Sequence, residues 1–205
     1  MPADSLPSRI VRALRRARFG ILTVALAYFL SAAAGLAMAH AGNRFALDYR
    51  DRTVSQAYKT SSIMHALEHG QPGTAAALDC AANLVGGMAS TLTGYWAPAV
   101  YPIAIYRGWI GGIVSVDGKH RSRLANPSER NYYLVTMVLQ LLPYSLAGGA
   151  GVNLGLARVR PVGDYAGPRM LGLPKEALRD TLRIYLLVVP LFAIASAFEF
   201  LAIPP

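Results

Sequence analysis

Four long stretches of this chain, residues 19–39, 74–117, 132–157 and 182–203, contain only five Asp, Glu, Lys or Arg side chains: Asp79, Arg107, Asp117, Arg183 and Glu199. About 20 consecutive apolar residues are enough to cross the hydrocarbon of a bilayer. Runs of this kind predict helices whose solvent is lipid, because a chain in hydrocarbon must satisfy its backbone hydrogen bonds internally. The composition agrees, with 54% apolar and 15% charged residues, against about 25% charged in soluble domains.

The expected architecture is all-α, a polytopic membrane helical bundle of about five transmembrane spans at 19–39, 74–94, 98–117, 131–157 and 182–203. The block 74–117 is too long for one span, and Gly94-Tyr95-Trp96-Ala97-Pro98 supplies a turn between two. Residues 1–18 form a basic N-terminus with Arg9, Arg12, Arg15, Arg16 and Arg18. They imitate the start of a cleavable signal, but the 19–39 run is long for one, and it reads as an uncleaved first span. The outer loop 43–73 mixes charges with apolar residues at three- and four-residue spacing, which predicts a short interfacial helix closed by Gly70-Gln71-Pro72-Gly73.

The formal net charge of +9 does not point to nucleic acid, because the basic residues flank apolar runs instead of forming a patch interleaved with aromatics. An excess of Lys and Arg orients spans with their basic flanks in the cytoplasm. The N-terminal arginines and the loop with Arg158, Arg160, Arg169, Lys175 and Arg179 fit one side. The loop at 117–130, with Lys119, Arg121, Arg123 and Arg130, falls on the other and breaks the rule.

Six polar residues interrupt the apolar spans: Asp79, Asn83, Arg107, Gln140, Asn153 and Glu199. A charge at the bilayer centre costs about 2.5–3.5 kcal/mol on insertion scales, so these residues need partners or water. Asp79 and Asn83 are four apart and share a helix face. Alternating span direction brings Asp79, Arg107 and Glu199 toward one leaflet and predicts a charge cluster there, either a packing network or a substrate path. Small residues are the second signal: Gly86, Gly87, Gly108, Gly111, Gly112, Gly148, Gly149, Gly151 and Gly155, with Ser31–Gly35 and Ser90–Gly94 as small-xxx-small pairs. In lipid such positions let helices approach closely, within one chain, with a second copy or with another membrane protein.

His65-Ala66-Leu67-Glu68-His69 matches H-x-x-E-H, whose two histidines can ligate zinc from one helix face with the glutamate as base. No third ligand is evident nearby, so His65 and His69 are weak metal candidates, and the expectation is no catalytic residue and no cofactor. The lone Cys80 allows no intrachain disulfide.

Three segments in order resemble the stage II sporulation protein M family of bacterial membrane proteins. They are Asn83 and the small residues through Gly94 to Arg107-Gly108-Trp109-Ile110-Gly111, then Leu141-Leu142-Pro143-Tyr144-Ser145-Leu146-Ala147-Gly148-Gly149-Ala150-Gly151, and finally Ile194-Ala195-Ser196-Ala197-Phe198-Glu199-Phe200 followed by Pro204. The match covers roughly 74–205. Tyr144-Ser145 stands where that family has His-Gly, Gly148 or Gly149 where it has a glutamate, and Arg107 where it has an amide; Glu199 is the acidic position that carries across. The resemblance implies a non-enzymatic component of the bacterial inner membrane that holds other membrane or envelope proteins together. A permease-like transport component is the competing expectation, and a metal-dependent hydrolase through His65, Glu68 and His69 a remote one.

Overall fold

The computed structural model describes residues 5–159 and 165–202; Arg160 of the basic loop, the first four residues of the basic N-terminus and residues 203–205, with the end of the fifth expected span, lie outside them. Among the described residues there are seven α-helices: α1 (Leu6–His40), α2 (Arg44–Thr60), α3 (Ser62–Glu68), α4 (Pro72–Thr93), α5 (Val100–Ile113), α6 (Pro127–Val159) and α7 (Lys175–Leu201). A two-residue hairpin, β1 (Arg169–Met170) with β2 (Leu173–Pro174), precedes α7.

Local sequence sets the boundaries. Gly42 (φ 69°) and Gly70 (φ 68°) adopt the left-handed conformation just past α1 and α3, where a side chain would be strained. The Asn43 side chain accepts from the Ala46 N–H at 3.1 Å to cap α2, and Ser61 caps α3 through the Ile63 N–H at 3.2 Å. Pro72 opens α4, where its missing N–H costs nothing. The expected short interfacial helix is therefore two helices, α2 of 17 residues and α3 of 7, broken at Ser61.

Three helices, α1, α6 and α7, are long and apolar enough to cross a membrane. The other two expected spans correspond to α4 and α5, and α5 is only 14 residues, or roughly 21 Å at the usual helical rise. The 98–117 stretch shortens because Ala97–Ala99 is a 3-10 turn and the chain leaves the helix at Val114. At the other extreme α1 runs 35 residues, carrying the N-terminal arginines on its first turns.

Contacts give the helix directions. Thr23, Tyr28 and Ala32 of α1 meet Tyr101, Gly108 and Gly112 of α5 in rising order, so those helices are parallel. Ile21 and Val24 meet Gly149 and Gly148, so α6 runs against α1. Asn83, Thr91 and Gly94 of α4 meet Tyr144, Ala147 and Gly151 of α6 in parallel, while Asp79 and Thr91 meet Ser196 and Tyr185 of an antiparallel α7. Helices α1, α5 and α7 thus point one way, and α4 and α6 the other.

The bundle turns the usual amphipathic logic outward. On α1 the buried positions are Ala13, Ala17, Gly20, Val24, Tyr28, Ala32, Gly35 and Ala39, spaced three and four apart, while Phe19, Leu22, Leu26, Phe29 and Leu30 are more than half exposed. Small residues inside and large apolar ones outside suit helices packed backbone to backbone in lipid. A Cβ at Gly112 would collide with the Ala32 carbonyl, one at Gly108 with that of Tyr28, and one at Gly35 with that of Trp109. Gly87, Gly148, Gly149 and Gly151 likewise face Phe192, Val24 with Val100, Ile21 and Thr91 at 3.1 Å or less, and Gly155 is buried in α6. Two of the expected packing glycines differ. Gly111 has nothing within 4 Å of its would-be side chain, and Gly86 faces the Arg107 guanidinium at 2.5 Å and the Tyr144 hydroxyl at 3.0 Å, not another backbone.

Candidate polar cavity within the bundle

Tyr144 occupies the centre of the bundle, 4% exposed, stacked with Tyr28 at 6.4 Å between ring centroids and edge-on to Phe192 at 4.8 Å. Its hydroxyl donates to Asn83 Oδ1 at 2.7 Å and accepts from Arg107 Nη1 at 2.5 Å, and the guanidinium also lies over its ring at 4.2 Å. One turn along α4, Asp79 Oδ2 accepts from Asn83 Nδ2 and from the Ser196 hydroxyl, both at 2.7 Å. Glu199 Oε2 accepts from Gln140 Nε2 at 2.9 Å, and the Glu199 carbonyl accepts from the Tyr132 hydroxyl.

The three charges expected to cluster, Asp79, Arg107 and Glu199, do line one cavity of about 440 Å³, yet they do not pair directly. Among the described residues no carboxylate oxygen lies within 4.0 Å of the Arg107 guanidinium. The connection between Asp79 and Arg107 passes through Asn83 and Tyr144 instead. The helix register explains it, since α5 presents Arg107 level with Asn83, one turn from Asp79. The cavity is open on one side, and Tyr106 in its wall is half exposed.

Helix α2 lies over this end of the bundle. Phe45 stacks on Trp109 at 5.7 Å, Tyr49 sits edge-on to the same indole at 5.1 Å, the Tyr49 and Tyr106 hydroxyls are 3.0 Å apart, and Thr53 lines the cavity. Asp51 fixes α2 to the 115–125 loop by accepting from His120 Nε2 at 2.8 Å. Hydrogen bonding from Arg50 first, and then His120, holds the Asp51 carboxyl below its ordinary range. Within the loop, Asp117 accepts from the Lys119 and Arg121 amides and from the Arg121 side chain, each at 2.8 Å, which lowers its carboxyl to about 2, the Arg121 amide contributing most. Part of the basic charge that broke the orientation rule is thus neutralised locally, in Arg121.

A second polar centre lies at the opposite end, where α1 and α7 begin. Asp180, fully buried, accepts from Arg16 Nη1 at 2.9 Å, Arg183 Nη1 at 2.6 Å and the Tyr165 hydroxyl at 3.1 Å, while Tyr165 accepts from Asn153 at 2.9 Å. Glu176 joins through Arg183 at 2.6 Å and Arg16 at 3.6 Å. Burial pushes the Glu176 carboxyl up, but the hydrogen bonds from Arg183 and Arg179 outweigh it and hold it low; burial raises the Tyr165 phenol to about 12. Sequence reasoning missed this centre apart from Asn153. The available signal was Glu176, Asp180 and Arg183, whose four- and three-residue spacing places them on one helix face.

The H-x-x-E-H segment closes α3, with His65 and Glu68 in the helix and His69 at its C-cap. Its two imidazoles stack at 4.1 Å, His69 Nδ1 lies 2.8 Å from the His65 carbonyl, and no group of three or more ligating side chains occurs among the described residues. No family model matches the chain, and neither a curated protein nor a solved structure does, so the likeness to the stage II sporulation protein M family rests on the three sequence segments alone.

Proposed function

We propose that the chain is a five-span, non-enzymatic component of a bacterial inner membrane, a scaffold or accessory subunit whose helical bundle itself does the work. Helices α1, α4, α5, α6 and α7 alternate in direction, as successive spans must, and α4 at 22 residues is roughly 33 Å long. The shorter α5 is lengthened by the 3-10 turn before it. A cytoplasmic N-terminus is supported by the basic residues gathered at the end where α1 and α7 begin.

The observation that carries the non-enzymatic reading is the make-up of the cavity wall. Asp79 and Arg107 are joined through Asn83 and Tyr144, and Glu199 is held by Gln140, so amides and a phenol, groups that bind and orient, hold its charged side chains. Purification from native membranes in mild detergent, followed by mass spectrometry, is expected to return stoichiometric membrane or envelope partners or a second copy of the chain. Recovery of a lone monomer overturns the scaffold reading.

The cavity's position within the bundle favours a second reading, a permease-like component that passes a small solute along the polar residues. Flux into proteoliposomes that disappears in Asp79→Asn supports it, and unchanged flux removes it.

A further inference from the structure

The polar groups in the cavity wall are unevenly satisfied. Asp79 and Glu199 each use one carboxylate oxygen, Oδ2 and Oε2, for bonds within the chain. Their other oxygens, Oδ1 and Oε1, are not used in those bonds, although the Gln140 side chain also bonds to the Asp79 carboxylate. Gln140 Oε1, beside them, is buried with no partner, and so is Thr136 Oγ1 in the same wall. Buried acceptors left in this state are uncommon and costly, about 1–3 kcal/mol each. Asp79 Oδ1 and Glu199 Oε1 are not among these buried atoms, so α4 and α7 each offer the cavity a carboxylate oxygen next to the buried Gln140 Oε1 of α6.

One helical turn deeper the balance reverses. Arg107 has five N–H donors, and among the described residues only its Nη1 is engaged, with the Tyr144 hydroxyl. The guanidinium is half-buried, has no carboxylate within ion-pair distance among the described residues, and lies over the Tyr144 ring at 4.2 Å. A wall with donors at one level and acceptors about 5 Å away is complementary to a molecule carrying an anion and an ammonium a few bonds apart. A simple cation would leave Arg107 repelled and unpaired, and a simple anion would face two carboxylates.

We infer that this cavity binds a small zwitterion, its acid anion on Arg107 and its ammonium between Asp79 Oδ1 and Glu199 Oε1. An ammonium offers three donors, enough to engage both carboxylates, and the tyrosine rings of the wall add favourable faces for a cation. The volume of about 440 Å³ lies within the range of small-molecule sites. Two sources share this chemistry, a free α-amino acid and an ethanolamine phosphate headgroup. The open side admits either, and a headgroup entering from the leaflet nearest Glu199 has its phosphate toward the bilayer middle, the depth at which Arg107 lies. The inference is independent of the scaffold reading, and binding without flux keeps it while removing transport.

The test uses the full chain in phosphatidylcholine nanodiscs, with ligand retention read by native mass spectrometry and thermal unfolding. Probes are glycine, alanine, phosphatidylethanolamine and the anion-only phosphatidylglycerol. Saturable binding of an amino acid identifies the free source; selective retention of phosphatidylethanolamine over phosphatidylcholine and phosphatidylglycerol identifies the lipid source. In either case Glu199→Gln, which can still accept from Gln140 and so keeps the fold, is expected to weaken the zwitterion about tenfold or more and leave phosphatidylglycerol retention unchanged. Arg107→Gln is expected to abolish it. Retention of neither zwitterion, equal retention of phosphatidylethanolamine and phosphatidylglycerol, or a Glu199→Gln protein that binds like the wild type overturns the inference.

Discussion

The Tyr144 hydroxyl donates to Asn83 Oδ1 at 2.7 Å, and this one bond joins α6 to α4 while leaving the same oxygen to accept from Arg107 on α5. Three helices meet at a single phenol buried among Tyr28 and Phe192. Tyr144→Phe keeps the ring packing and removes the oxygen, stranding an amide acceptor and a guanidinium donor. A loss of about 1–3 kcal/mol is expected, read as a lower midpoint for unfolding in detergent. An unchanged midpoint shows that water replaces the hydroxyl.

Two adjacent glycines on α5 provide an internal control. A side chain at Gly112 runs into the Ala32 carbonyl of α1, whereas one at Gly111 meets nothing within 4 Å. Gly112→Ala is expected to separate α1 from α5 and cut folded yield severely. Gly111→Ala should be neutral or stabilising by up to about 1 kcal/mol, from the better helix propensity of alanine. Size-exclusion profiles of the two variants decide it; equal behaviour contradicts the backbone contact between α1 and α5.

At the other end of the bundle, Asp180 is the acceptor for Arg16, Arg183 and Tyr165. Removing Asp180 leaves Arg16 and Arg183 with Glu176 as their shared carboxylate and strips Tyr165 of its acceptor, and breaking a buried ionic network costs up to about 3–5 kcal/mol. Asp180→Ala is accordingly expected to be far more disruptive than Arg179→Ala, which makes an exposed bond to Glu176 at 3.3 Å of the kind worth less than about 1 kcal/mol. Comparing the thermal unfolding of the two variants measures the difference.

The loop between α5 and α6 has an acid-sensitive clamp. The Asp117 carboxyl is lowered from its usual 3.8 to about 2 by the Arg121 and Lys119 bonds, so the folded loop is favoured where the carboxylate is ionised. That contribution is fully present above about pH 4 and is lost as the pH falls through about 2. Hydrogen exchange at the Lys119 and Arg121 amides should show protection across the higher range and lose it at the lower one. Asp117→Asn should show weakened, pH-independent protection.

Much of the architecture follows from the order of residues. The charge-poor runs determined that the chain is helical and contains helices fit for lipid, because nothing else satisfies a backbone in hydrocarbon. Gly42, Gly70 and Pro72 determined where helices stop and start, since those effects act within a turn or two. The polar residues Asp79, Asn83, Arg107, Gln140 and Glu199 were visible as expensive exceptions that had to find company. Only the tertiary structure decided what that company is. Register between helices, set by glycines touching carbonyls on a neighbouring strand of helix such as Gly108 on Tyr28 and Gly112 on Ala32, places Arg107 against Tyr144 instead of against a carboxylate. The same long-range packing lays α2 over the cavity and draws Arg16 across 164 positions to Asp180. Sequence spacing governs neighbours on one helix; which faces meet is settled by how closely whole helices can approach.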